Sequence, residues 1–241
     1  MSGHSKWNNI KHKKEKADAA KAKIFTKIGK EMAVAIKEGG PDPSNNSRLR
    51  DLIAKAKANN VPNDNIQRTI KKFTESNDIN YEEIIYEGYG PSGVAIIVET
   101  STDNRNRTAG NVRAAFNKYG GNLGQNGCVG FLFEEKGVIT IVDEDDELDE
   151  DKVMEDALEC GAEDIKCDEG EYTIYTSVDD FASVREAVIS LGYTLATADL
   201  AKVPSTYVDL TSDEDVENME KMLDKFNEDD DVNAVYHNWN A

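Results

Sequence analysis

The apolar residues of the first 75 positions recur with the period of α-helices. A first helix is predicted from about Asp18 to the helix-terminating run at Gly39-Gly40-Pro41. A second is predicted from about Ser47, and a third begins directly after a break at Asn59–Pro62. Two short helices joined by a tight break, after a longer helix, predict a three-helix bundle of the helix-turn-helix type. Its expected core consists of Ile24, Ile28, Leu52, Ile66 and Ile70.

Beyond Asn77 the apolar period shortens to two residues, which is typical of β-strands. The first predicted elements of this part are strands at 82–88 and 94–100, a helix at 104–119 and a strand at 128–134. Residues 137–203 follow with the order strand, helix, strand, strand, helix, strand, which is the βαββαβ order of a ferredoxin-like unit. The chain ends with a predicted strand at 206–210, a helix at 213–227 and a strand at 232–237.

These elements can be combined into a second ferredoxin-like unit around the first. The strand, helix and strand between 94 and 134 form one half, and the three C-terminal elements form the other half. The predicted fold class is therefore α+β, with an N-terminal three-helix bundle and two ferredoxin-like βαββαβ domains, one inserted in the other. The expected domains are residues 1–78, residues 79–134 with 205–241, and the inserted residues 135–204.

Composition places the chain among soluble globular proteins. It has 241 residues, of which 39% are hydrophobic and 31% are charged. The longest apolar run, Val94–Val98, is far shorter than the ~20 residues of a membrane-spanning helix, and the N-terminus lacks the apolar segment of a secretory signal. We therefore expect a cytoplasmic protein without a membrane partner. Three cysteines without C-x-x-C spacing argue against a disulfide framework and against structural zinc.

Charge divides the chain more sharply than hydrophobicity does. Residues 1–75 hold 17 Lys and Arg against 8 Asp and Glu, whereas residues 76–241 hold 11 against 39, so the net charges are +9 and −28. Helical surfaces rich in lysine are usually rich in glutamate as well, because the two pair along the helix. Since acids are scarce here, we interpret the basic block as a nucleic-acid surface rather than as lysines that merely solvate a bundle. The acidic remainder is expected to set geometry or to bind a basic protein partner.

The candidate nucleic-acid-binding residues are most of the cations of this block, together with two ring side chains near its start. They are Lys6, Trp7, Lys11, His12, Lys13, Lys14, Lys16, Lys21, Lys23, Lys27, Arg48, Arg50, Lys55, Arg68, Lys71 and Lys72. Charge alone does not distinguish DNA from RNA as the partner.

Five longer motifs resemble the YebC/PmpR family. They are Gly3–Lys11, Lys37–Pro43, Asn60–Ile66, Glu87–Gly93 and Thr102–Thr108. Motifs of this length, in this order and spread over essentially the whole chain, make the resemblance specific. It implies a three-domain fold and a non-enzymatic regulator of gene expression. The family is generally described as DNA-binding transcriptional regulators and its mitochondrial relatives as translational activators, and ribosome association and relief of stalled elongation have been attributed to members.

Other patterns that could carry chemistry have simpler structural explanations. Gly88-x-Gly90-x-x-Gly93 matches the dinucleotide fingerprint in letters, but a strand follows where the fingerprint needs a helix, so we expect a hairpin turn and no cofactor. The acidic run Asp143–Asp151 lacks the glycine of a calcium loop, and carboxylates there stabilise a helix N-terminus, so we expect no metal. A metal-dependent phosphodiesterase that uses this run is the enzymatic alternative. No catalytic Ser, His or Cys set can be assigned from the sequence, so we predict no enzyme and no small-molecule substrate.

Three arginines in the acidic part have two interpretations. Arg105 and Arg107 fall at the start of the predicted helix at 104–119, where the helix dipole disfavours cations, and Arg113 follows them. They could pair with Glu99 or Asp103. Alternatively, the helix N–H groups and the guanidinium groups form a phosphate site.

The sequence therefore predicts a cytoplasmic, non-enzymatic protein that binds nucleic acid and regulates gene expression. The first hypothesis is regulation of transcription through DNA. The alternative is a ribosome-associated translation factor that contacts ribosomal RNA and relieves stalled elongation.

Overall fold

The computed structural model describes residues 17–75, 80–143, 148–168 and 170–240, with side chains described from Lys23 onward. Its helices are α1 (Ala17–Gly39), α2 (Ser47–Ala58), α3 (Asn63–Glu75), α4 (Arg105–Lys118), α5 (Glu150–Glu159), α6 (Phe181–Ser190) and α7 (Asp213–Glu228). Its strands are β1 (Glu82–Tyr89), β2 (Ala95–Thr102), β3 (Asn122–Leu123), β4 (Phe133–Val142), β5 (Asp164–Asp168), β6 (Glu171–Thr176), β7 (Leu195–Pro204) and β8 (Val232–His237).

The three N-terminal helices bury one apolar core between them. Its buried members are Ile28, Met32, Ala35, Ile36, Leu49, Leu52, Ala56, Ile66 and Ile70. Ile24 was expected in this core, but it is 38% exposed. With 23 residues, α1 is much longer than α2 with 12 and α3 with 13, and the core that it shares with them begins at Ile28, one turn after Ile24.

Asn46 joins the end of α1 to the start of α2. Its buried side chain accepts a hydrogen bond from the N–H of Leu49 at 3.0 Å, which is the N-cap contact that satisfies a free helix donor. The amide nitrogen of the same side chain donates to the carbonyls of Ala35 at 2.8 Å and Gly40 at 2.9 Å. Gly39 allows this close approach, because a Cβ there would lie 2.7 Å from the Asn46 amide nitrogen. The turn therefore needs both the glycine and the asparagine.

The first sheet has the strand order β3-β1-β2-β8, and every neighbouring pair is antiparallel. Helices α4 and α7 cover one face of it. The rings of Phe116 from α4 and Phe226 from α7 meet at 5.3 Å between centroids, above Ile96 and Val98 of β2. This core burial fixes the two helices on the sheet, since buried apolar surface is the main stabilising contribution to folding.

Two strands expected in this sheet are not formed. The chain from 128 to 132 makes bends and a short 3₁₀ turn, and Phe133 then begins β4 of the other sheet. The cause is Glu87, whose buried carboxylate accepts the N–H groups of Gly127, Val129 and Gly130 at 2.7–2.8 Å. Successive N–H groups of a strand point in opposite directions, so Val129 and Gly130 cannot both reach one carboxylate from an extended chain.

The second missing strand is the one predicted at 206–210. This segment forms a single bridge, between Val208 and Trp239, in place of a ladder. Strand β1 lies between β2 and β3, which is the position that the segment would have taken in a ferredoxin-like sheet.

The second sheet has the order β5-β6-β4-β7 and carries α5 and α6 on one face. The chain order of its elements is the predicted βαββαβ, and its core contains Ile139, Ile174, Val153, Val184 and Phe181. The α+β class, with an N-terminal helical region and two four-stranded antiparallel sheets, is confirmed. None of the described helices has the length and apolar character needed to cross a lipid bilayer.

The predicted domain boundaries can be tested by excision. Phe133–Ser205 forms a compact unit of its own, and the residues described before and after it form another. Phe133 pairs with Pro204, so the ends of this unit lie about 5 Å apart. We predict that replacing Phe133–Ser205 by a short Gly-Ser linker leaves one cooperative thermal transition by circular dichroism. Loss of that transition would contradict the insertion of 135–204 into a discontinuous domain.

Candidate nucleic-acid interface

The predicted basic residues divide into those outside the described residues and those with defined contacts. Lys6, Trp7, Lys11, His12, Lys13, Lys14 and Lys16 lie outside the described residues, as does the side chain of Lys21. The interface can therefore be built from Lys23 onward.

Two of the predicted lysines contact the last turn of α7. The ammonium group of Lys23 donates to the carbonyl of Glu228 at 2.6 Å, and that of Lys27 donates to the carbonyl of Asn227 at 3.1 Å. The last carbonyls of a helix have no partner within the helix and carry partial negative charge, so cations stabilise them. Burial lowers the pKa of Lys27, as does the nearby Lys23, while Asp230 acts in the opposite direction.

The third lysine of this face, Lys30, reaches a buried carboxylate. Its ammonium group donates to Asp231 at 2.7 Å and to the carbonyl of Asp230 at 2.8 Å. Asp231 also accepts from the guanidinium of Arg107 at 2.7 Å and from the hydroxyl of Thr108 at 2.8 Å. Burial alone would raise the pKa of Asp231, but the hydrogen bonds from Lys30, Arg107 and Thr108 outweigh it and hold the pKa at about 2. This cluster joins α1 to α4 and to the start of β8.

Arg107 is therefore paired with carboxylates, at the position where the sequence also suggested a phosphate site. Its guanidinium binds Asp231 and also Asp103, the latter at 2.8 Å. Pairing with Asp103 was one of the two interpretations of this arginine drawn from the sequence. These hydrogen bonds raise its pKa further. Asn104 caps α4 by accepting the N–H of Arg107. Arg105 lies 3.5 Å from Glu82. The phosphate site of Arg105, Arg107 and Arg113 stays a prediction, and its central guanidinium is shared by two acids.

Two further candidates also contact acidic side chains of the protein. Arg48 bridges Glu38, at 2.9 Å, and Glu83 of β1. Lys55 lies 4.0 Å from Glu31. Arg48 thereby links the helical region to the first sheet. This structural role could not be predicted from its position in a basic block.

Among the predicted candidates with described side chains, the exposed cations lie mainly on α3. Arg68, Lys71 and Lys72 are exposed and spaced three and four residues apart, so they share one side of the helix, which we name the α3 cationic face. Lys71 lies 3.9 Å from Glu75 at an exposed position, where ion pairs contribute little. Lys72 lies over the ring of Phe73. On α2, Arg50 is exposed, as is Lys57, which the sequence-based selection did not include.

Lys30 and Asp231 are the residues that sequence reasoning missed. Both line an open groove of about 570 Å³ that also carries Asp103, Arg107 and Lys225. The spacing of Lys30 from Lys23 and Lys27, which places all three on one side of a helix, could have identified Lys30 from the sequence. Asp231 is one of three consecutive aspartates, and its sequence position does not tell which of them is buried. Within the described ranges, no three His, Cys, Asp or Glu side chains are placed to hold a metal ion.

Two family models match this chain over nearly its whole length. One, described as the TACO1/YebC protein N-terminal domain, matches residues 5–76, and the other, described as the TACO1/YebC second and third domain, matches residues 81–239. The chain belongs to the TACO1/YebC family. The resemblance found in the five sequence motifs is confirmed.

Relatives in this family are similar from end to end. A protein of Agathobacter rectalis is 56% identical over 240 residues, which cover 99% of each chain, and one of Clostridium botulinum is 57% identical over 99% of this chain and 96% of its own. Both are named probable transcriptional regulatory proteins. The crystal structure of a conserved hypothetical protein from Aquifex aeolicus is 43% identical, with a TM-score of 0.86 over 95% of this chain and 94% of the other.

We predict that the buried Asp231 cluster contributes measurably to stability in this member of the TACO1/YebC family. Asp231→Asn removes the charge that both Lys30 and Arg107 need, and breaking a buried ion pair should lower the free energy of unfolding by about 3 kcal/mol. The exposed Asp224→Asn on α7 serves as the control, with an expected change within about 0.5 kcal/mol. Urea denaturation at pH 7 measures both.

The same cluster predicts a pH dependence. The pKa of Asp231 is about 2 in the folded protein against an ordinary value of 3.8, so its contribution is present above pH 4 and is lost as the pH falls towards 2. The difference in unfolding free energy between the wild type and Asp231→Asn should therefore shrink by about 2–3 kcal/mol over this range. A difference that stays constant from pH 7 to pH 2 would contradict it.

Proposed function

We propose that this protein is a non-enzymatic regulator of gene expression that binds nucleic acid, and that it regulates transcription through DNA. Its full-length relatives named probable transcriptional regulatory proteins support the regulatory role. The basic N-terminal block, with a net charge of +9 ahead of a remainder with −28, supports a polyanionic partner.

The observation that carries the proposal is the α3 cationic face. Arg68, Lys71 and Lys72 present three positive charges to solvent on one side of a helix, while Lys23, Lys27 and Lys30 of α1 are held by the protein itself. A helix that displays cations on one side suits the phosphate backbone of a duplex. Arg50 and Lys57 of α2 extend the positive surface.

Phosphate contacts of this kind position a protein but do not read base sequence. Electrostatic attraction gives the basic block most of its affinity, and the acidic remainder opposes binding at low salt. Ribosomal RNA offers the same phosphates, so the alternative of a ribosome-associated translation factor differs in the target and not in the contacts. Crosslinking in cells followed by sequencing of bound DNA and RNA distinguishes the two. Recovery of ribosomal RNA without promoter DNA would overturn the proposed role in transcription and support the role as a translation factor.

We predict that the α3 cationic face determines the salt dependence of binding. In the double variant Lys71→Gln/Lys72→Gln, the slope of log K against log salt on duplex DNA should flatten by up to about 1.8, since each lost phosphate contact contributes about 0.9. Fluorescence anisotropy at several salt concentrations measures this slope.

Lys152→Gln/Lys166→Gln is the matched control. Lys152 pairs with Asp156 four residues on, as Lys71 does with Glu75, and Lys166 lies over the ring of Tyr175, as Lys72 does over Phe73. The control removes the same charge from the acidic part of the chain and should leave the slope unchanged. An equal slope in the wild type and both double variants would overturn the assignment of α3 as the interface.

A further inference from the structure

One face of α1 contacts the end of α7 through three lysines. Lys23, Lys27 and Lys30 follow at intervals of four and three residues, so their ammonium groups line one side of α1. They donate in turn to the carbonyls of Glu228, Asn227 and Asp230. The lysines therefore neutralise the negative end of the last helix.

The ion pairs along this face weaken from one end to the other. The side chains of Lys30 and Asp231 are 11% and 4% exposed and lie 2.7 Å apart. At the other end, Lys23 and Asp230 are 39% and 64% exposed and lie 3.8 Å apart. Buried ion pairs are costly to break, whereas exposed ones contribute little. Lys30 is thus an anchor, whereas the ion pair of Lys23 with Asp230 contributes little and leaves the carbonyl of Glu228 as its main partner.

Lys27 lies between these two extremes. Burial and the neighbouring charge of Lys23 lower its pKa, while the carboxylates of Asp230 and Asp229 raise it. Two ammonium groups that repel each other favour any additional anion that approaches both. Phosphate groups of a nucleic acid are such anions, and they bring more charge than the helix carbonyls supply.

We infer that the end of α7 acts as an internal competitor, which occupies Lys23 and Lys27 in the free protein and yields them to nucleic-acid phosphates while Lys30 keeps α1 docked. This inference rests on the proposed function. Binding then includes the exchange of protein acceptors for phosphates, so the contact lowers the affinity for nucleic acid. Linkage requires the reverse as well, because a bound nucleic acid must weaken the contact between α1 and α7 by the same factor.

A pair of charge-matched variants of the full chain tests this competition. Asp230→Asn weakens the competitor beside Lys23, whereas Asp213→Asn removes an exposed carboxylate at the opposite end of α7. Both raise the net charge by one, so the general attraction to DNA rises equally. With a duplex DNA probe at low salt, Asp230→Asn should bind roughly 2- to 5-fold more tightly than Asp213→Asn, the size expected for one exposed ion pair.

Amide hydrogen exchange tests independently whether the lysines leave the end of α7 when nucleic acid binds. Saturation with duplex DNA should speed amide exchange in the last turn of α7 and at Asp229–Asp231 in the wild type. In Lys23→Gln/Lys27→Gln the same DNA should leave exchange there unchanged, because no competition remains.

The outcomes separate this inference from the function on which it rests. Equal affinities of Asp230→Asn and Asp213→Asn, together with unchanged exchange at the end of α7, would overturn the competition while DNA binding through α3 still stands. A wild type that binds neither duplex DNA nor ribosomal RNA would remove the proposed function and this inference with it.

Discussion

The docking of the helical region depends on one interaction, the pairing of the buried Asp231 carboxylate with Lys30 and Arg107. This carboxylate is 4% exposed and receives hydrogen bonds from α1 and from α4. Without these cations it would be an uncompensated buried charge, and such charges cost several kcal/mol. The cluster therefore holds α1 against the first sheet in one arrangement. The rest of the bundle follows, because α2 and α3 pack on the opposite side of α1 through Ile28 and Met32.

This docking divides the basic block into two sets of cations with different tasks. Lys23, Lys27, Lys30 and Arg48 bind carbonyls and carboxylates of the protein, so their charge stabilises the structure. Arg68, Lys71 and Lys72 face solvent. The net charge of the block therefore overstates the number of phosphate contacts that the described part of the free protein can offer. Competition for the outer lysines would connect the two sets and make docking sensitive to nucleic acid.

Much of the fold could be predicted because it depends on local patterns. The bounds of α1, α2 and α3 follow from apolar periodicity and from breaks rich in glycine, asparagine and proline, and the βαββαβ order between 137 and 203 follows from alternation. The strand expected at 128–134 failed because its N–H groups bind Glu87, which lies some forty residues earlier in the chain. The burial expected for Ile24 was wrong, because the core that the three helices share begins one turn later, at Ile28.

The sequence by itself determined the helices, most of the strands, the separation of charge and, through its motifs, the TACO1/YebC family. These properties depend on residue type and spacing along the chain, which folding does not change. Only the tertiary structure decided which cations are exposed, that Arg107 binds Asp231 in addition to Asp103, and that Lys30 is the anchor of α1. Lys30 and Asp231 are about two hundred residues apart in the chain. An ion pair acts over a few ångströms, so no local pattern can show which carboxylate the folded chain brings to a given lysine.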